Sequence, residues 1–416
     1  MTPENATGLP LVTMAHSLPM LDMALALTAE LRAERAVSSV TTIVKFTPVT
    51  RAPEIGFLAE TAASLSDRVA LAGLNPLHEQ IRSACRDAGT PVTVLPSTAD
   101  APARPRWRRA LDRLGGAAAV RALVPGGARV VRSHADADPL AESVGAIARR
   151  RGGRVLVSLE GCYPPGEPLP LKYFEAARPA PADAFLYSHA SHREQLASVG
   201  YAEGEVIGYT KLYPAWLRTL ADSPRARAAA DTETLTVTLI TRGEHPDGGP
   251  QIMPHDTLER ILADVLAELA ALACPVRVLL KPHPAQDLAA LGAMLDRARP
   301  LRDAPDITIT HEYPGVLFAA SDLAISTWST AAIDAMAAGV PVIEYFVENA
   351  HFRSIYPGGS SFRSLGIAWC EDRQGFRDAL SRVIAGSHRQ PAADTALDQR
   401  RDLSVFGVTP MGHGSV

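Results

Sequence analysis

The chain has 416 residues, 47% of them hydrophobic and 21% charged, with a net charge of −4. That length and apolar content suffice for two hydrophobic cores, and so weak an acidity excludes a chain built globally to grip nucleic acid or an anionic lipid surface. The four cysteines, Cys85, Cys162, Cys274 and Cys370, form no CxxC pair, so neither a disulfide framework nor a structural zinc site is expected, which fits a reducing cytosol.

The N-terminal apolar stretches are broken by Asp22, Glu30 and Arg32, and no basic region precedes them. A signal peptide is therefore not expected. No apolar run reaches the roughly 18 residues of a membrane span, and a cytoplasmic protein is expected. Through the first half, short β-branched runs alternate with helix-like stretches. Strands are predicted at Leu9 to Ala15, Val40 to Phe46, Arg68 to Ala72 and Pro91 to Leu95. They continue at Arg129 to His134, Arg154 to Leu159, Ala184 to Ser188 and Glu205 to Tyr209. Helices are predicted between them at Leu18 to Arg35, Pro76 to Ala88, Pro139 to Arg151 and Ser191 to Val199. This alternation means a parallel sheet with crossover helices. The basic cluster Arg104 to Arg113 reads as a solvated face, with contact to a membrane or an anionic acceptor left open. His134 with Asp136-Ala137-Asp138 has the outline of a metal-binding DxD. Ahead of Pro139 the aspartates read instead as a helix N-cap, and no metal is assigned.

Ser223 to Thr234 is polar, holds no strand and reads as an interdomain linker. The alternation then restarts. Strands are predicted at Leu235 to Thr241, Val276 to Leu280, Ile307 to Thr310, Asp322 to Ser326, Val340 to Phe346 and Ile367 to Cys370. The helices are Thr257 to Ala271, Leu288 to Ala298, Ala331 to Ala338 and Phe376 to Ala385. The expected organisation is an N-terminal domain over 1–222, a linker over 223–234, a C-terminal domain over 235–390 and a tail over 391–416. The tail is polar and expected to be loose beyond its first residues. The fold class is α/β, with two doubly wound Rossmann-like domains facing a central cleft.

Lys281-Pro282-His283-Pro284 closes the apolar run Val276 to Leu280, so an ammonium and an imidazole arrive at the carboxyl end of a buried strand. Ligands of open α/β sheets bind at that edge. Farther on, Ser326-Thr327-Trp328-Ser329-Thr330 joins an apolar run to an alanine-rich helix ended by Gly339 and Pro341. Ser329 or Thr330 is placed to cap that helix, and a helix start with free N–H groups favours an anion. Lys281, His283, Ser326, Thr327, Ser329 and Thr330 are thus candidate phosphate ligands. Arg242 ends the first strand of this half, and His311 and Glu312 follow another strand, where base or ribose contacts are made. The loop His351 to Phe362, with Arg353, Gly358, Gly359 and then Arg363, is a further place for donor contacts.

KPHP followed by ASDLAISTWSTAAIDAMAAGVPVIEYF resembles the GT-B-fold glycosyltransferases. The look-alikes that pair an HP motif with hydroxyls are the bacterial sialyl- and polysialyltransferases, the capsule Kdo transferases and the CDP-glycerol glycerophosphotransferases. The resemblance spans roughly 235 to 385 and is architectural before that. It implies that His283, Ser329 and Thr330 hold the phosphate of a nucleotide-activated donor, CMP- or CDP-linked in preference to UDP. It also implies metal-independent catalysis without a resident cofactor, and a glycan or glycolipid acceptor of a bacterial surface polysaccharide, reached with peripheral membrane association.

Two residues compete as the base that deprotonates the acceptor. Glu160 follows the run Arg154 to Leu159, where the bacterial sialyltransferases carry an acid-acid-Gly motif; here the sequence is Leu159-Glu160-Gly161, without the first acid. His16 follows the first strand, where many GT-B enzymes keep a catalytic histidine. The expected reaction is displacement at the donor carbon, with the leaving nucleotide's charge stabilised by His283, Lys281, Arg242 and the Ser329–Thr330 turn. Two rivals stand beside it. A UDP-N-acetylglucosamine 2-epimerase-like enzyme shares the architecture, although its Ser-Gly-Gly phosphate loop is absent here. A non-catalytic nucleotide-sugar-binding subunit of polysaccharide assembly is the other.

Overall fold

The computed structural model describes residues 8–46, 55–95, 116–134, 139–159, 163–165, 169, 171, 174–175, 181–201, 204–229, 234–242, 253–284, 286–299, 304–347, 353, 360–386, 388, 390–397 and 402–408. In the first half these form β1 (Leu9–Ala15), α1 (Leu18–Ala33), β2 (Val37–Val44), α2 (Gly56–Leu65), β3 (Arg68–Ala72), α3 (Leu77–Ala88) and β4 (Val92–Leu95). There follow β5 (Arg129–Ser133), α4 (Pro139–Arg150), β6 (Arg154–Ser158), β7 (Ala184–Tyr187), α5 (Ala190–Ala197) and β8 (Gly204–Val206). All eight strands pair in parallel in the order β4-β3-β2-β1-β5-β6-β7-β8. The order reverses direction between β1 and β5, which makes their carboxyl ends the expected ligand edge.

The second sheet comprises β9 (Leu235–Thr241), β10 (Val276–Pro282), β11 (Asp306–Ile309), β12 (Leu323–Ser326), β13 (Val342–Tyr345) and β14 (Ala368–Cys370). Its order is β11-β10-β9-β12-β13-β14, again all parallel, with the reversal between β9 and β12. Between the sheets run a 3-10 turn (Thr210–Leu212), α6 (Pro214–Ala221) and α7 (Pro224–Ala229). The helices of the second half are α8 (His255–Ala270), α9 (Leu288–Ala298), α10 (Pro314–Phe318), α11 (Ala331–Ala337), α12 (Arg373–Ile384) and α13 (Ala393–Ala396). No helix among the described residues is long and apolar enough to cross a membrane.

Helix α1 shows how the apolar pattern sets the packing. Its Ser17 cap accepts a hydrogen bond from the Met20 N–H, and every residue from Met20 to Leu31 except Met23 is buried. Two acids share that burial, each with a partner. Glu30 accepts from the backbone N–H of Ala215 at 2.9 Å and so satisfies a free donor at the start of α6. Asp22 turns toward the cleft. In the second half, Asp287 and Asp372 cap α9 and α12 through the N–H groups of Ala289, Ala290 and Gly375.

Three expectations change. The strand predicted to reach Tyr209 stops at Val206 because Gly208 takes a left-handed φ of 80°, which swings the chain out of the sheet. Tyr209 and Leu212 then pack in the second core while Ile207 and Tyr213 pack in the first. The linker is partly helical: α7 buries Ala226 against the first core. The tail returns, since Leu403, Val405 and Phe406 are buried in the first core and the Val405 carbonyl accepts from Arg129 at 3.1 Å.

Candidate active site

Strand ends from both sheets meet at a cavity of about 240 Å³. The first sheet contributes Ser158 at the end of β6 and Leu159 after it, Ser188 after β7, and Ile207 and Gly208 after β8, while α1 adds Leu18, Asp22 and Met23. The second sheet contributes Thr241 from β9, Lys281 through Pro284 from β10, and His311 through Pro314 after β11. Ser329, Thr330 and Asp334 come from the turn and helix after β12.

The KPHP turn is held by its own neighbours. The His283 N–H donates to the Thr241 carbonyl at 3.0 Å, and the Gln286 N–H donates back to the His283 carbonyl at 2.8 Å. The Gln286 side-chain oxygen accepts from the Thr241 hydroxyl at 2.9 Å. The backbone at His283 is thereby fixed on two sides, and the imidazole carried on it stands at the cavity wall. Lys281 is 8% exposed. Burial pushes its ammonium down to about 8, against the pull of the Glu312 carboxylate, which favours the charged form. An anion entering beside it would restore the charge.

The hydroxyl run divides into two pairs. Ser326 and Thr327 are wholly buried and do not line the cavity. The Ser326 oxygen accepts from the Ser329 N–H, and Thr327 accepts from the Arg242 N–H and donates to the Ile240 carbonyl. Their expected place as phosphate ligands is therefore corrected: their hydroxyls hold the turn together. Ser329 and Thr330 do line the cavity. Ser329 accepts from the Ala331 N–H at 3.3 Å, whereas Thr330, the residue before α11, makes no side-chain cap bond. Between the pairs, Trp328 sits at a φ of 54°, a left-handed backbone that costs an L-residue energy and is held by its surroundings. Those include the Arg242 guanidinium 4.9 Å from its ring and Phe346 just past the end of β13. Arg242 is thus committed to Trp328 and is not on the cavity wall, a second correction.

His311 and Glu312 line the cavity. Glu312 is also claimed from behind by Arg225 of α7, at 2.7 Å, which reaches Glu60 of α2 with its other nitrogen at 2.8 Å. His16 is half-buried at the start of α1 and stands outside the cavity lining. Glu160, Asp136 and Asp138 lie outside the described residues, as do Arg104 to Arg113 and most of the loop 351–362. His134 is buried against the Phe174 ring, with centroids 4.9 Å apart.

A linked group of four among the cavity residues, Lys211, Asp22, Asp334 and Tyr313, was not in the expected set. Lys211 on the 3-10 turn places its ammonium 2.9 Å from Asp22 and 2.7 Å from Asp334. The Tyr313 hydroxyl donates to the other oxygen of Asp22. The signal was present in two places: Asp334 is the one acid of an otherwise apolar helix and Asp22 lies in the apolar first turns of α1, and such a residue needs a partner when its helix is buried. Asp22 is more readily taken as a mere break in an apolar stretch, and nothing around Lys211 marks it.

Two doubly wound sheets whose carboxyl edges face one cavity define the GT-B fold. No protein-family model matches the chain, and no curated protein does. Among solved structures, the UDP-GlcNAc 2-epimerase of Methanocaldococcus jannaschii is similar at 11% identity, with 93% of this chain and 95% of that one covered and a TM-score of 0.54. A second UDP-N-acetylglucosamine 2-epimerase gives 11% identity, 95% and 91% coverage and a TM-score of 0.52. The wall teichoic acid polymerase TagF also matches, at 12% identity, 95% and 85% coverage and a TM-score of 0.47. At such identities the likeness to the two epimerases is one of fold.

Proposed function

We propose that this chain is a metal-independent glycosyltransferase that moves a sugar, or a sugar-like polyol phosphate, from a nucleotide-activated donor to a surface-glycan acceptor. The observation that carries the reading is how the cavity's phosphate-directed and apolar side chains divide between its walls. Lys281, His283, Ser329 and Thr330 gather on its second-sheet wall, and Leu18, Met23, Leu58, Leu159 and Ile207 on its first-sheet wall. The donor phosphate lies against the first group, and a cytidine-linked donor is preferred to a uridine-linked one. The acceptor lies against the second.

In sugar transfer an acceptor oxygen attacks the donor carbon as the bond from that carbon to the phosphate oxygen breaks; in polyol-phosphate transfer it attacks the phosphorus that carries the polyol as the bond from that phosphorus to the oxygen of the nucleotide's own phosphate breaks. The bonding pair leaves on the phosphate, where the Lys281 ammonium, the His283 imidazole and the Ser329 and Thr330 hydroxyls receive the charge. The acceptor's proton passes to a base on the first-sheet rim. Ser158 and Leu159, the two residues ahead of Glu160, line the cavity, which favours Glu160 over His16 for that role.

The experiment is a thermal-shift panel of CMP, CDP, UDP, GDP and ADP on the wild type and on His283→Ala. It is followed by an assay of nucleotide release with and without an acceptor glycan. A shift with one nucleotide, lost in the variant, together with acceptor-dependent release, is the expected result. Binding without turnover would point to a non-catalytic subunit, and no shift at millimolar nucleotide would sink the reading. A second reading rests on the carboxylates Asp22, Glu312 and Asp334 around the same cavity, which suit proton transfer at a sugar carbon. An epimerase of that kind would isomerise UDP-GlcNAc with no acceptor, a conversion visible by NMR.

A further inference from the structure

Asp22, Lys211 and Asp334 come from α1, from the turn between the sheets and from α11, and they meet on the cavity wall. Lys211 Nζ reaches both oxygens of Asp334, at 2.8 and 2.7 Å, and one oxygen of Asp22 at 2.9 Å. Asp22 and Asp334 are 4% and 5% exposed. Two carboxylates share one ammonium, so the set at full ionisation keeps one surplus negative charge, buried and facing the cavity. A surplus charge of this kind is costly, and a proton is the cheapest way to remove it.

We propose that this set is a proton-coupled clasp across the cleft: Lys211 positions the donor-side and acceptor-side helices, and Asp334 takes up a proton when the donor's anionic phosphate enters. The inference rests on the donor reading above. Asp334 rather than Asp22 is assigned the proton because Asp22 belongs to α1, on the acceptor side, where the Tyr313 hydroxyl also holds it. Asp334 is also on the helix that follows Ser329 and Thr330. Burial pushes its carboxyl up to about 6, with Lys211 pulling it down and Asp22 pushing it up. The charged groups facing it among the described residues are those two, with Lys281, His283, His311 and Glu312 elsewhere on the cavity. Of the strands and helices packed on α11, α10 and β12 carry no titratable side chain. On β13, Glu344 accepts from Ser360 and Tyr345 donates to Asp264, so both are engaged away from Asp334.

Calorimetric titration of UDP-GlcNAc and of CDP-glycerol, near pH 7 in buffers of different ionisation enthalpy, counts the protons taken up. These pyrophosphate diesters do not titrate near pH 6, so an uptake belongs to the protein. The wild type is expected to take up close to one proton per ligand bound, and Asp334→Asn to bind while taking up none. Undiminished uptake in Asp334→Asn overturns the inference and leaves the donor reading standing. If neither compound binds the wild type, those two donors are excluded, and thermal unfolding judges the clasp. Protonation of Asp334 favours the folded state, so the wild type must gain on Asp334→Asn as pH falls from 8 through 6 to 5. A gap that does not change with pH overturns the clasp.

Discussion

On the first-sheet side of the cavity the wall is largely Leu18, Met23, Ile55, Leu58, Leu159 and Ile207. Across from it stand Lys281, His283, His311, Glu312, Ser329 and Thr330. The two walls are built to different tolerances. An apolar wall acts through area removed from water, at about 25 cal/mol per Å², and that force has no direction. A polar wall acts through groups aimed at one place, which requires a rigid backbone behind them. On the second side the structure supplies that backbone: Gln286 and Thr241 lock the turn at His283, and Ser326, Thr327, Arg242 and Trp328 lock the turn at Ser329. Residues that were themselves candidate ligands are the supports of the ones that reach the cavity.

The contrast can be broken most forcefully at His283. His283→Ala is expected to lower turnover by about 10²–10³ while the Tm without nucleotide changes little, because removing one preset donor to the leaving group costs that much. The measurement is steady-state kinetics beside an unfolding curve. Lys281→Met comes next, with turnover near pH 7 falling about tenfold or more, the loss of one charge-assisted contact. Its pH profile is the sharper readout. The Lys281 ammonium loses its proton near pH 8, so wild-type donor affinity should weaken as pH rises through that value and the methionine variant should lose that limb.

On the apolar wall, Leu58→Gln should raise the acceptor KM by about tenfold, the equivalent of roughly 1–2 kcal/mol of lost apolar contact. Nucleotide binding should remain as it was, and a variant that instead weakens the nucleotide would show the two walls are not separate. Arg225→Gln is the mildest: its ion pairs with Glu60 and Glu312 are a third to a half exposed on the Arg225 and Glu60 sides. A loss of about 1 kcal/mol or less in denaturant unfolding is expected.

The same contrast governs what the sequence could disclose. Both sheets are legible because parallel strands buried on two faces read as continuous apolar runs, as at Val276 to Leu280 and Arg154 to Ser158. The donor wall is legible at Lys281-Pro282-His283-Pro284 because two prolines fix where the strand ends. Within STWST, however, five adjacent polar or aromatic residues look equivalent. Only the left-handed φ at Trp328 decides that Ser326 and Thr327 face inward and Ser329 and Thr330 the cavity. Backbone sign at a tryptophan leaves no mark in composition. The Lys211 set is hidden for another reason: its members are separated by more than a hundred residues each, and only the meeting of the two sheets makes them neighbours. Likewise the polar tail gives no hint that Leu403, Val405 and Phe406 complete the first core.

That returning tail has a mechanical consequence. Ala393 and Leu397 belong to the second core, and the Asp402 N–H already pairs with the Val206 carbonyl at the edge of the first sheet. The chain therefore spans the gap twice, once through Ile207 to Leu235 and again between Leu397 and Asp402. Each crossing limits how far one sheet can part from the other, so cutting the chain after Leu397 is expected to leave a single connection and to make the two halves unfold more independently.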